Sequence, residues 1–155
     1  MTFAPWSFDA ASPVLALTRD KPGPVLISLQ AIQEEFGYVP PQAVEQIAKA
    51  CNVSRADVHG VLTFYHDLRT CLPPATVLRI CVAEACQAVG SRDLVKDVEE
   101  SFNTRMDDSN GDVELKPVYC LGNCALGPSA MVNGELVGRA TAQGLKSLAN
   151  EQVGA

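Results

Sequence analysis

Four of the six cysteines in this 155-residue chain stand in two close pairs, Cys81-x4-Cys86 and Cys120-x3-Cys124. Thiolates at such spacing can oxidise to disulfides, bind a metal ion or hold an iron–sulfur cluster. The flanking residues argue against coincidence. Thr76-Val77-Leu78-Arg79-Ile80-Cys81 is β-branched and apolar and predicts a buried strand ending on a cysteine. Val113-Glu114-Leu115-Lys116-Pro117-Val118-Tyr119-Cys120 predicts a second strand with the same ending. Both pairs are therefore expected on loops at sheet edges. If the two strands are parallel neighbours, the loops emerge on one side and four thiolates can converge.

The setting separates these chemistries. The first residues, Met1-Thr2-Phe3-Ala4-Pro5-Trp6, lack the basic cluster and apolar stretch of a signal peptide. No apolar run approaches the roughly 18–20 residues that span a bilayer. The expectation is a cytoplasmic protein without membrane insertion, and there thiols stay reduced, so metal or redox chemistry comes before disulfides. Structural zinc also takes four cysteines, in C-x2–4-C loops, and a zinc-stabilised interaction module remains the rival from another class. Tetrathiolate ligation is the usual form for a 2Fe–2S cluster, the reading favoured here, with Cys81, Cys86, Cys120 and Cys124 as ligands. A dithiol oxidoreductase would need a C-x-x-C pair, which neither spacing provides.

The loop composition supports the cluster. Two ferric ions, two sulfides and four thiolates carry a formal −2, so dipoles must point at the sulfurs. Ala83, Ala85, Gly122 and Ala125 are small enough for backbone N–H groups to approach them, and such contacts tune potential. Glu84 is locally unfavourable and is expected to face solvent. Cys51 reads as a buried core thiol, and Cys71, before Pro73-Pro74, as a candidate substitute ligand. His59 and His66 could serve a Rieske-type site only by replacing cysteines that are already present. Thr63, Phe64 and Tyr65 are a candidate partner interface, because aromatic residues enrich interface cores; packing against the second half of the chain is the alternative.

Composition sets the outer limits. Apolar residues make up 47% and charged residues 19%, enough to bury a real core. Eighteen acidic against twelve basic residues give a formal charge of −6, which argues against nucleic-acid binding. Neither a G-x-G-x-x-G fingerprint nor a P-loop is present. No residue is expected to act as acid, base or nucleophile.

The elements that must position the cysteines divide the chain in two. Residues 1–22 are expected to be irregular, with a weak helical pattern over 13–19. Leu26, Leu29, Ile32, Gln33 and Phe36 recur at helical steps, and Gly37 stands at the C-cap position. Pro40-Pro41 open a second helix, and Ser54-Arg55-Ala56-Asp57 resembles a capping box starting a third through about Phe64. Residues 1–72 are thus an N-terminal helical region. Residues 73–155 change period: two strands ending on cysteines, a helix from Gly90-Ser91-Arg92-Asp93, a solvated acidic loop over 107–112, a hairpin over 130–137 turning at Asn133-Gly134, and a last helix over 141–149. The predicted order is β-α-β-β-β-α, a small mixed sheet covered by two helices, and the fold class is α+β.

The cysteine motifs Cys81-Val82-Ala83-Glu84-Ala85-Cys86-Gln87 and Val118-Tyr119-Cys120-Leu121-Gly122-Asn123-Cys124-Ala125 resemble the thioredoxin-like 2Fe–2S ferredoxin family. Residues 32–40 and 58–65 are similar as well, so the likeness covers roughly 24–148. The resemblance implies a thioredoxin-like domain over 73–155, one 2Fe–2S cluster on the four cysteines, and one-electron transfer. It also implies a partner subunit that binds FMN and NAD(H). Within the family, the loops through Gly127-Pro128 look most like the gamma subunit of NAD-dependent formate dehydrogenase. That likeness implies a large formate-oxidising partner with a molybdenum or tungsten cofactor; the equivalent subunit of an NAD-linked hydrogenase or of complex I is the alternative.

Overall fold

The structure, a computed structural model, describes residues 3–153. The chain divides into two compact units, one ending at Pro73 and one beginning at Pro74.

The first unit holds four helices: α1 (Phe8–Thr18), α2 (Pro24–Phe36), α3 (Pro41–Cys51) and α4 (Arg55–Phe64). α1 bears out the weak helical pattern over 13–19 up to Thr18 and extends it back to Phe8, which corrects the expectation of an otherwise irregular start. Ser7 caps it by accepting from the Ala10 N–H at 3.1 Å. Pro13 lies inside the helix and leaves the carbonyl of exposed Asp9 without its intrahelical partner, on a face where water can replace it. Gly37 ends α2 in the left-handed region, at φ 80°. The α4 capping box is complete: the Ser54 hydroxyl accepts from the Asp57 N–H at 3.1 Å, and the Asp57 carboxylate accepts from the Ser54 N–H at 3.0 Å. Leu29, Ile32, Phe36, Val39, Ala43, Ile47 and Val58 form the fully buried centre. Gln33, which shares the α2 periodicity, is a polar clasp. Its amide donates to the Asp67 carbonyl at 2.9 Å and accepts from the Arg69 N–H.

The second unit is built on a five-stranded mixed sheet in the order β2-β3-β1-β4-β5. Its strands are β1 (Thr76–Cys81), β2 (Asp108–Ser109), β3 (Val113–Val118), β4 (Ala130–Val132) and β5 (Glu135–Val137). β1 runs parallel to β3, with Cys81 opposite Val118, and antiparallel to β4. Asn133 and Gly134, at φ 49° and 90°, make the left-handed turn that the Asn-Gly pair predicts. Three helices accompany the sheet: α5 (Glu84–Ala88), α6 (Ser91–Phe102) and α7 (Ala142–Val153). Leu94 and Val98 of α6 and Leu145 and Ala149 of α7 join Leu78, Ile80, Leu115 and Val132 in one core. Two features go beyond the expected order. The acidic loop contains the short strand β2, and a one-turn helix, α5, follows the first cysteine strand. Among the described residues no helix is long and apolar enough to cross a membrane.

Candidate metal centre

β1 ends on Cys81, and β3 ends two residues before Cys120. Because the strands are parallel neighbours, both cysteine segments leave the sheet at the same end. The Val82 N–H, donating to the Val118 carbonyl at 2.9 Å, carries the pairing one residue past Cys81.

The spacing predicts Cys86 on a loop, and it lies instead in α5. Extended Ala83 caps that helix and accepts from the Gln87 N–H at 2.9 Å. The turn folds Cys86 inward, so Cys81 and Cys86 are each 2% exposed, while Glu84 faces solvent. Cys124 opens a 3-10 turn, Cys124–Leu126, and it and Cys120 are exposed. The first pair is thus an inner pair and the second an outer one.

Cys86 links the two. Burial pushes its thiol up from the ordinary range, and a hydrogen bond with the Cys81 side chain acts in the same direction. The Ser129 backbone, hydrogen-bonded to the Cys86 sulfur, pulls it back, and negative charge on Cys81 or Cys124 would raise it further. A Cys86 thiol that resists carrying thiolate charge alone suits a site where cations share that charge. Among the described residues no three His, Cys, Asp or Glu side chains gather round one point as a single-ion site requires.

Backbone groups reach the sulfurs at both pairs. The Gly122 N–H lies 3.3 Å from the Cys120 Sγ, and Gly122 adopts φ 72°, which glycine tolerates freely. Ala83, Ala85 and Ala125 occupy the turns beside the cysteines: Ala83 half-buried at the α5 cap, Ala85 exposed within α5, and Ala125 exposed in the 3-10 turn.

Three residues outside the expected ligands and their small neighbours line the site: Gly127, which closes the second motif, and Gly138 and Ser129, which the motifs do not single out. A Cβ on Gly127 would stand 2.8 Å from the Val89 Cγ2 and 3.6 Å from the Cys86 Sγ. A Cβ on Gly138 would stand 2.8 Å from the Leu126 Cβ and 3.2 Å from the Leu126 carbonyl, against the turn that carries Cys124. Ser129 is almost fully buried, and its hydroxyl reaches the carbonyls of Asn123 and Leu126 at 3.2 and 3.5 Å. Four thiols with backbone donors on two of them fit an anionic iron–sulfur group.

The other candidates belong to the first unit. Cys51 is half-buried, 3.8 Å from the Ser28 hydroxyl, which itself meets the Thr18 hydroxyl at 2.8 Å; Cys71 is exposed. His59 and His66 are exposed, as is Thr63, whose hydroxyl donates to the His59 carbonyl. Phe64 is 73% and Tyr65 42% exposed, with their rings packed edge to face at 5.2 Å.

Known proteins resemble this chain over most of its length. One of the subunits of the NADH-quinone oxidoreductase of Buchnera aphidicola is 29% identical over 123 residues, spanning 78% of this chain and 76% of that protein. The subunit of the same name from Aquifex aeolicus is 31% identical over 111 residues, spanning 70% and 69%. A crystal structure of an NAD+-reducing [NiFe]-hydrogenase superposes with a TM-score of 0.69 at 18% identity. It covers 86% of this chain but only 23% of the hydrogenase chain, so it speaks for the fold alone. The sequence profile of the thioredoxin-like [2Fe-2S] ferredoxins matches residues 12–152, nearly the whole chain, and supports an iron–sulfur cluster in a redox protein. This chain belongs to the thioredoxin-like 2Fe–2S ferredoxin family.

Proposed function

We propose that this chain is a one-electron carrier subunit whose 2Fe–2S cluster is held by Cys81, Cys86, Cys120 and Cys124. The observation that carries the reading is the parallel pairing of β1 and β3, which sends both cysteine segments out at one end of the sheet. When bound, such a cluster accepts and returns single electrons. The protein's part is to supply four thiolates, aim the Gly122 and Ser129 backbones at sulfur, and exclude water from the inner pair through burial of Cys81 and Cys86.

The natural partner of a one-electron carrier is a flavin, which exchanges single electrons with a cluster and a hydride with NAD. The partner in this reading is an FMN- and NAD(H)-binding flavoprotein, with the exposed Phe64–Tyr65 pair and Thr63 as a candidate docking patch. The loops around Cys86 and Cys124 support a cytoplasmic NAD-dependent formate dehydrogenase as the parent complex, with the molybdenum or tungsten cofactor in its large subunit. A second reading, a complex of the NADH-quinone oxidoreductase or NAD-linked hydrogenase kind, is favoured by the names of the relatives.

Iron and acid-labile sulfide on anaerobically purified protein, with EPR after dithionite reduction, test the site. Two irons and two sulfides per chain with an S = 1/2 signal that Cys124→Ser alters are expected. Stoichiometric zinc without such a signal would leave a structural module. Purification of the native complex, assayed for NAD+ reduction by formate and by hydrogen, separates the parent assignments.

A further inference from the structure

We propose that Ser129 is a positioning residue for the four-cysteine site, its hydroxyl fastening the turn that carries Cys124 to the sheet end that carries Cys81. The inference rests on the reading of these cysteines as cluster ligands.

Ser129 is 1% exposed and stands immediately before β4. Its backbone and hydroxyl make contacts at or beside three of the four cysteines. Its carbonyl accepts from the Cys81 N–H at 2.9 Å. Its backbone is hydrogen-bonded to the sulfur of Cys86. Its hydroxyl donates to the Asn123 carbonyl at 3.2 Å, with the Leu126 carbonyl at 3.5 Å, and those two carbonyls bracket Cys124. A residue of any type could make the two backbone contacts. Only the hydroxyl demands serine or threonine.

Both bracketing carbonyls already have backbone donors. Asn123 accepts from the Leu126 N–H at 3.0 Å, and Leu126 accepts from the Arg139 N–H at 2.6 Å. Removing the hydroxyl therefore strands no buried acceptor, so the fold should survive. What is lost is a side-chain tie between the strand end and the Cys124 turn. That turn carries an exposed ligand, so slack there should appear as easier release of iron and a changed electronic environment rather than as unfolding.

The test uses the cluster-loaded full chain and three variants: Ser129→Ala, Ser129→Thr and Ser129→Val. Threonine and valine have nearly the same shape and differ in the hydroxyl. The measurements are the rate of iron transfer to ferrozine under reducing conditions, the EPR g-values and the midpoint potential of the reduced protein. Ser129→Ala and Ser129→Val should release iron about 5-fold faster than the parent, the factor expected from one buried hydrogen bond, and should show shifted g-values and potential. Ser129→Thr should stay close to the parent in all three. Equal behaviour of the threonine and valine variants overturns the proposal, even where both are less stable than the parent. So does a Ser129→Ala protein that matches the parent in release, g-values and potential. A parent protein that carries neither iron nor sulfide refutes the ligand reading itself, a distinct result.

Discussion

Replacing Gly138 with alanine tests whether the Cys124 turn is held by close packing. Gly138 follows β5, and the new Cβ would lie 2.8 Å from the Leu126 Cβ, 3.0 Å from the Asn123 Nδ2 and 3.2 Å from the Leu126 carbonyl oxygen. Two of these neighbours cannot swing aside. A Cβ moves only with its backbone, and the Leu126 carbonyl is pinned by the Arg139 N–H at 2.6 Å. Inserting a methyl group into such a site costs about 2–3 kcal/mol, while the reduced freedom of the unfolded chain returns about 0.4–1 kcal/mol. The net is about 1.5 kcal/mol of destabilisation, and a domain of 60–100 residues then loses roughly 6–12 °C in Tm. Gly127→Ala is the control. Its nearest neighbour is the Val89 Cγ2 at 2.8 Å, the end of a half-exposed side chain that can rotate away. The Gly127 variant should therefore stay within a few degrees of the parent. Thermal unfolding of the reduced, metal-free chain by circular dichroism reads both. A Gly138→Ala protein as stable as the parent, or a Gly127→Ala protein that is the weaker of the two, would refute the packing argument.

Three further outcomes follow from local geometry. Cys124→Ser, at the exposed outer pair, should alter the reduced EPR spectrum and leave the apo fold intact, since no buried thiol is removed; an unaltered spectrum removes Cys124 from the proposed ligand set. Gly60→Ala, in exposed mid-α4 with no atom within 4 Å of the new Cβ, should stabilise the helical unit by about 0.5–1 kcal/mol, and a lower urea midpoint contradicts it. The side-chain and backbone hydrogen bonds from Ser54 hold the Asp57 carboxyl below its ordinary range. Because the folded pKa is the lower one, this contribution is present above the unfolded value, roughly pH 4, and is lost as pH falls through the folded pKa. The Tm gap between parent and Asp57→Asn should thus narrow in acid, and a gap independent of pH counts against the box.

Local signals carry much of this fold. The β-branched run into Cys81, the Asn133-Gly134 turn and the Ser54–Asp57 box each depend on residues within a few positions of one another, and each sits where its chemistry puts it. α1 is partly hidden in the sequence because Pro13 interrupts it and its apolar face is thin; among its residues only Ala11, Leu15 and Thr18 are buried. Gln33 falls on an apolar stripe because its true partners, the backbones of Asp67 and Arg69, lie more than thirty residues away. α5 escapes sequence reading for a different reason. Five residues give too little periodicity to register, although extended Ala83 followed by acidic Glu84 is the kind of start a helix takes.

The candidate site divides along the same line. The four donors are legible because cysteine is rare and its spacing is chemical. What brings them to one end of the sheet is not. The parallel pairing of β1 with β3 joins segments separated by two helices and an acidic loop, and neither strand states its neighbour. The residues that hold the two cysteine segments together have no chemistry of their own to advertise. Gly138 acts through a side chain it lacks, and Ser129 acts through carbonyls that only the folded chain delivers. A search for reactive residue types passes over both. In a site made of two short motifs, ligand identity is a local property, whereas ligand geometry belongs to the contacts between motifs. Substitutions at Ser129 and Gly138 therefore probe geometry while leaving the ligand set unchanged, which substitutions at the cysteines cannot do.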